Sequence, residues 1–319
     1  MKLQKISLVD FDTNFFEKSY LYRIRFLTKE LVFVKESDIE RRNKLVENSE
    51  ALLIRYSTPL DKKTLNNLPS LKYIGASSVA VDQVDIKYAH NKGIVVTNIP
   101  GYSSNPIAEF VFGALICHLR HLTMAQKNVE LGDFTVHSSY KGWELSGKTL
   151  GIIGLGNIGK RAAEIALGFN MKVQYYSRNR KKDYENKGLN YLPLEKLIST
   201  SDILGIFLEL NNKTKGILTK KHLNLIKKSA IVVSTSHTDL FDFNVLIRTL
   251  SAGKFTFIQT YFDSISKEHR DVLKKSPNVI LYPSIAIQTI ETKERQQEMI
   301  VNNLENFCKG KIINEVKYS

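Results

Sequence analysis

The feature that most restricts this chain is the run Gly154-Leu155-Gly156-Asn157-Ile158-Gly159. Three glycines at this spacing mean little alone, but their surroundings are specific. The strand-like Leu150-Gly151-Ile152-Ile153 precedes them. A segment with apolar positions at Ile158, Ala162, Ile165, Ala166 and Phe169 follows, and a second strand-like run extends from Lys172 to Tyr176. The pattern predicts a strand–turn–helix–strand unit that binds a dinucleotide. Gly154 allows the tight turn, Gly156 lets the backbone approach a pyrophosphate, and Gly159 lets the helix pack closely on the strand. The start of the helix then offers free N–H groups and a partial positive charge to the phosphates.

The residue after the second strand selects the cofactor. An Asp or Glu there bonds a ribose 2′-hydroxyl and repels a 2′-phosphate. This chain has the neutral Ser177, followed by Arg178, Asn179, Arg180, Lys181 and Lys182. Guanidinium groups bind phosphate bidentately and stack on adenine. The expected cofactor is NADP(H) in preference to NAD(H), with Ser177, Arg178 and Asn179 among the residues that bind it.

Strand-like and helix-like segments alternate along most of the chain, which predicts parallel sheets covered by helices. Strands are expected at 5–9, 51–55, 71–75 and 94–98, then at 149–153, 173–176, 203–207, 230–235, 255–259 and 279–281. Helices are expected at 38–48, 62–68, 84–91, 107–121, 158–169 and 289–309. Pro106 suits the first turn of the helix over 107–121, with Ser104 or Asn105 as its N-cap. Residues 11–35 are ambiguous, and 311–316 read as a candidate final strand.

A length of 319 residues suits two ordinary domains. The only cysteines, Cys117 and Cys308, have nothing of metal-ligand spacing around them, so a disulfide scaffold and a structural zinc site are excluded and no metal is expected. The longest apolar stretch, Phe110 to Cys117, is too short to span a membrane, and the first residues lack a signal-peptide pattern. A cytoplasmic protein is expected. The net charge of +14 comes from cations scattered among acidic residues, with no nucleic-acid-reading element, so neither nucleic acid nor membrane is an expected partner.

With these motifs in place, nearly the whole chain resembles the D-isomer-specific 2-hydroxyacid dehydrogenases, which include phosphoglycerate dehydrogenase and the hydroxypyruvate and glyoxylate reductases. The resemblance is carried by Ala51-Leu-Leu-Ile-Arg55, Leu71-Lys-Tyr-Ile-Gly75, Val81-Asp82-Gln83-Val84-Asp85, Gly93-Ile-Val-Val-Thr-Asn98, Pro100-Gly101, Ala108-Glu109, Leu145 to Gly154 and Pro277-Asn278-Val279-Ile280. It implies an α/β fold of two flavodoxin- or Rossmann-like domains, doubly wound on parallel sheets, with the active site in a cleft between them. The substrate domain would comprise 1–98 and 287–319. The dinucleotide-binding domain would be 99–286, and a homodimer would form through the helix at 107–121. It further implies cofactor contacts from Leu208, Glu209, Thr214, Thr235 and Ser236, and a substrate loop at Ser78, Val79 and Ala80. The reaction implied is hydride transfer between nicotinamide C4 and C2 of a 2-oxo or 2-hydroxy acid.

The chain departs from the family where the chemistry is done. The family's substrate-anchoring Arg is His237, in Ser234-Thr-Ser-His-Thr-Asp239. Its proton-donating His is Ser284, in Leu281-Tyr-Pro-Ser284. The Glu that partners that His aligns with Ser266 by ungapped counting, or with Glu268 if Phe262-Asp263-Ser264-Ile265 matches the family's Leu-Asp-Val-Phe step. The family's Gly-x-Gly substrate cradle is Ser78-Val79-Ala80, and a Pro lining the nicotinamide pocket is Glu209. Serine has no acidity near neutrality and cannot replace imidazole as general acid. Three readings stay open: an NADP(H) oxidoreductase in which His237 supplies the proton and Arg55 anchors an anion, a catalytically silent nucleotide-binding regulatory or scaffold protein, and a weak conventional 2-oxo acid reductase. His269, in a polar segment, reads as solvated.

Overall fold

The computed structural model describes residues 2–260 and 265–318. The chain divides into two compact units, Met1–Tyr102 with Ile290–Ser319, and Ser103–Thr289.

The first unit holds β1 (Leu3–Val9), β2 (Thr28–Val34), β3 (Ala51–Ile54), β4 (Tyr73–Ala76) and β5 (Val95–Thr97) in the all-parallel order β2-β1-β3-β4-β5. This is a flavodoxin-like doubly wound sheet. Its central strands β3 and β4 are buried throughout and read as continuous apolar runs, as a sheet covered on both faces requires. The helices are α1 (Lys18–Phe26), α2 (Ile39–Val46), α3 (Lys62–Asn66) and α4 (Ile86–Asn91), joined by a long helix returning from the far end of the chain. Asp38, Asp61 and Asp85 cap α2, α3 and α4 by accepting the backbone N–H three residues on.

The second unit holds α5 (Ser104–Leu119), α6 (Leu122–Glu130), β6 (Thr149–Ile153), α7 (Asn157–Gly168), β7 (Lys172–Tyr176), α8 (Lys182–Glu185), β8 (Asn190–Tyr191), α9 (Leu194–Thr200) and β9 (Ile203–Ile206). It continues with α10 (Lys220–Leu225), β10 (Ile231–Ser234), α11 (Phe243–Ser251), β11 (Thr256–Gln259), α12 (Lys267–Leu273) and β12 (Val279–Leu281). The final helix α13 (Ile290–Cys308) belongs to the first unit. The strand order is β12-β11-β10-β9-β6-β7-β8, again all parallel. The order reverses between β6 and β9, the place where ligands of such sheets bind beyond the carboxyl ends of the strands. Helix α7 buries Gly159, Ala162, Ala163 and Ala166, small residues that let it lie close to the sheet. Phe112 of α5 stacks on Phe169 at the end of α7. Among the described residues no single helix is long and apolar enough to cross a membrane.

Three expectations change. The ambiguous 11–35 resolves into α1 and β2. Ile24 is the only buried residue of α1, and β2 is an edge strand buried only at its ends, so neither carries a clean apolar period. The candidate strand at 311–316 is only an isolated bridge from Thr97 to Glu315, because Asn314 sits in the left-handed region at φ 54° and interrupts the extended run. The long helix starts at Ser104 and ends at Leu119. Its N-cap is Ser103, in place of Ser104 or Asn105, and left-handed His121 (φ 54°) separates it from α6.

Helices α1 and α13 are joined by Arg23. Its Nε donates to Glu305 Oε1 at 2.8 Å and its Nη1 to Glu298 Oε2 at 2.6 Å, and Nη2 reaches both carboxylates. The Arg23 hydrogen bond holds the Glu305 carboxyl below its ordinary value. Stabilisation from a depressed carboxylate is complete above its unfolded pKa and is lost as pH falls through the folded one. Glu305→Gln is expected to cost about 1 kcal/mol at neutral pH, discounted for partial exposure. Denaturant unfolding at stepped pH should show this difference shrinking below about pH 4. A pH-independent difference would contradict the assignment.

Candidate active site

The glycine turn sits beyond the carboxyl end of β6. Gly154 has φ 102°, a conformation that side chains resist, and its N–H donates to the Tyr176 carbonyl at 2.9 Å. A methyl group on Gly159 would overlap the Gly154 carbonyl oxygen, so this position sets how closely α7 approaches the turn. Gly156 is the N-cap of α7. It is exposed, and a Cβ there would meet nothing within 4 Å. The space above Gly156 is open at the start of a 12-residue helix whose first N–H groups point outward. Leu155 is buried, while Asn157 is exposed and Ile158 half-buried.

At the end of β7, Ser177 is buried and its hydroxyl donates to the Asn179 carbonyl at 2.7 Å. The hydroxyl of buried Tyr175 accepts the Lys181 N–H at 2.7 Å and donates to Glu185 Oε1 at 2.9 Å, pinning the base of the loop. Arg180 is committed within the protein. Its Nε donates to Glu185 at 2.7 Å, and its guanidinium lies 5.5 Å from the centre of the Tyr191 ring. The basic cluster therefore offers fewer cations than its sequence suggests. Arg178, Asn179 and Lys182 are exposed.

At the end of β9, Leu208 is half-buried and Glu209 exposed. The Thr214 hydroxyl donates to the Glu209 carbonyl at 2.6 Å and accepts the Asn211 N–H at 2.8 Å, so it closes a turn. Beyond β10, Thr235 N–H donates to the Ile206 carbonyl at 3.2 Å, and the buried Ser236 hydroxyl donates to the same oxygen at 3.2 Å. These bonds tie the β10 loop to β9.

His237 follows directly. Its Nδ1 accepts the Asp239 N–H at 3.2 Å and lies 3.3 Å from Asp239 Oδ1. In the neutral ring this geometry leaves the proton on Nε2. In the imidazolium, Nδ1–H faces the Asp239 carboxylate and Nε2–H is available to donate. His237 and Asp239 thus form a His–carboxylate pair on the loop after β10. Sequence reading missed both Asp239 as its partner and the support beneath it. Gln259, fully buried at the end of β11, donates from Nε2 to the Ser236 carbonyl at 2.9 Å and to the Thr260 carbonyl at 3.0 Å. A polar residue closing the apolar strand Thr256–Gln259 was the available signal.

Beyond β12, Tyr282 packs edge-on against Phe110 with ring centres 5.1 Å apart, and burial pushes its hydroxyl pKa up. Ser284 follows and is half-buried. Ser266 caps α12 by accepting the His269 N–H at 3.3 Å, and Glu268 is exposed in the first turn of that helix. Phe262, Asp263 and Ser264, used to align Glu268, lie outside the described residues. His269 is not simply solvated: its ring stacks on Phe243 with centres 3.4 Å apart.

In the first unit, Arg55 follows β3 and lies over the rings of Phe15 at 4.9 Å and Phe11 at 5.7 Å. Beyond β4, the Ser78 hydroxyl donates to the Ala80 carbonyl at 2.6 Å, and the exposed Val79 offers its carbonyl to Asn98 Nδ2 at 2.7 Å. Both segments are at the carboxyl edge of the five-stranded sheet. The glycine turn, Ser177–Asn179, Leu208, Glu209, Thr235–His237 and Ser284 follow the carboxyl ends of strands in the seven-stranded sheet.

Comparison with known proteins agrees with this architecture. The D-isomer specific 2-hydroxyacid dehydrogenase, NAD binding domain, matches residues 112–286. A glyoxylate reductase of Thermococcus litoralis is 34% identical over 274 residues, covering 84% of this chain and 83% of its own. A hydroxypyruvate reductase of Blautia hydrogenotrophica is 30% identical over 269 residues, covering 81% and 82%. Among solved structures, an acyclic imino acid reductase in complex with NADPH and D-Arg superposes with a TM-score of 0.87 at 25% identity, covering 98% of this chain and all of that one. A D-lactate dehydrogenase of Aquifex aeolicus complexed with NAD and lactic acid gives 0.82 at 25% identity, covering 96% of each. The chain belongs to the D-isomer-specific 2-hydroxyacid dehydrogenase family.

Proposed function

We propose that this protein is an NADP(H)-dependent reductase of small 2-oxo acids in which the His237–Asp239 pair replaces the family's proton donor. The observation that carries the reading is that pair, fixed on the loop after β10 at the carboxyl edge of the dinucleotide sheet. The open space over Gly156 fits a pyrophosphate, and the first turn of α7 would hold it. When bound there, the nicotinamide nucleotide supplies the hydride for C2 of the substrate. His237, as imidazolium facing the Asp239 carboxylate, gives its Nε2 proton to the developing C2 alkoxide and is left as neutral imidazole with its proton on Nδ1. Gln259, through the Ser236 carbonyl, keeps the loop in place. Arg55 is the cation we assign to the substrate carboxylate.

Arg178 is the 2′-phosphate ligand in this reading. Arg178→Ala is expected to weaken NADPH binding about 10- to 100-fold, the worth of one charge-assisted pair. It should leave NADH affinity within about twofold. Titration of both nucleotides checks this, and equal losses for NADPH and NADH would remove the cofactor preference from the account.

The absence of a family His at 284 favours a second reading, a silent nucleotide-binding subunit. NADPH oxidation with glyoxylate, hydroxypyruvate and pyruvate separates the two. Turnover by the unmodified protein supports the reductase. Turnover by a His237→Arg/Ser284→His variant alone supports the silent subunit.

The segment after α6 also supports a homodimer. Leu131, Phe134 and Val136 are 75%, 77% and 90% exposed, an apolar strip that a soluble monomer rarely leaves bare. Light scattering is expected to give twice the chain mass, and a monomer at micromolar concentration would contradict the dimer.

A further inference from the structure

In a parallel sheet all amino ends lie on one edge, so the residues that enter β6, β9 and β10 are neighbours. Here they are Lys148, Asp202 and Ala230. Together with Trp143, Lys227, Lys228 and Ser229 they line an open cavity of about 200 Å³. β6 is five residues long at about 3.3 Å each. The cavity is therefore the length of a strand from the glycine turn, at the opposite edge of the same sheet.

The lining is strongly biased in charge. It carries three lysines against one carboxylate, Asp202. That carboxylate is already satisfied: Oδ1 accepts from Lys227 Nζ and Oδ2 from the Thr149 N–H, both at 2.9 Å. Lys148 makes no hydrogen bond to Asp202 among the described contacts and acts on it only through its charge; its Nζ lies over the Trp143 ring, 5.2 Å from the centroid. Lys228 is exposed at the rim. The site thus presents two ammonium groups in surplus over one ion pair. Its shape comes from the ends of three paired strands rather than from mobile side chains alone. Ammonium groups act as point charges on phosphate oxygens, and in a concave, partly screened site their fields add.

We propose that this cavity is an anion-effector site that takes a compact polyanion of the phosphate class. Lys148 and Lys228 are the principal ligands, and Lys227 is shared with Asp202. Nothing in hydride transfer uses these residues, so the site is separate from the reductase chemistry and does not depend on it.

Trp143 is the only tryptophan in the chain, so it reports on the site directly. Inorganic pyrophosphate added at ionic strength held constant with sodium chloride is expected to change its fluorescence saturably. The double variant Lys148→Gln/Lys228→Gln should weaken that binding at least about tenfold, the worth of one charge-assisted contact or more. The variant's unfolding temperature should stay unchanged. A response that sodium chloride reproduces would overturn the proposal. So would unchanged affinity in the double variant, which is also what pyrophosphate bound instead at the glycine turn would give.

Discussion

Replacing His237 by Ala is expected to lower kcat for NADPH-dependent reduction of a 2-oxo acid by about 10²–10⁴-fold, the usual cost of losing a positioned general acid. NADPH affinity should not move, because among the described residues the His237 ring bonds to Asp239 within its own turn. Asp239→Asn keeps the turn and the backbone N–H but removes the charge that balances the imidazolium. It should fall between the unmodified protein and the alanine variant. The two substitutions act through one device, so the double variant should be no slower than His237→Ala alone. Stopped-flow measurement of the chemical step checks this ordering. Additive losses would mean that Asp239 and His237 serve different purposes.

The second large effect concerns the glycine turn, where two glycines should fail in different ways. A side chain at Gly156 meets nothing in the protein, so Gly156→Val should cost the fold no more than about 1 kcal/mol, the scale of an N-cap change. It should still weaken both NADPH and NADH by about 100-fold or more, because the side chain fills the space the pyrophosphate needs. Gly159→Val drives its Cβ into the Gly154 carbonyl and should lower the unfolding temperature itself. Calorimetry beside nucleotide titration separates the two. If Gly156→Val bound NADPH normally, the phosphates would have to lie elsewhere.

The glycine turn was readable because every level agreed: a buried strand, a forced turn and a small-residue helix face adjoin each other within about 25 residues. The central strands were readable for the same reason, since burial on both faces writes an unbroken apolar run. The edge strand β2 and the sparsely buried α1 were not, because elements at the rim of a sheet need no such pattern. Site chemistry divided along similar lines. His237 and Ser284 drew attention in the sequence only through the resemblance to a family spacing. Asp239 and Gln259 were not, because their roles depend on a local turn and a cross-strand contact that leave no periodic trace. The basic run at 178–182 misled in number. Arg180 pairs with Glu185 five residues later, a pairing the sequence did not single out.

The most direct test of the account is a single-turnover reaction with NADPH deuterated at nicotinamide C4 and glyoxylate as acceptor, with the product read by mass spectrometry. The account predicts glycolate carrying one deuterium at C2, formed by the unmodified protein and suppressed in His237→Ala. NADPH bound tightly through long incubation, with no deuterium reaching the product, would contradict it.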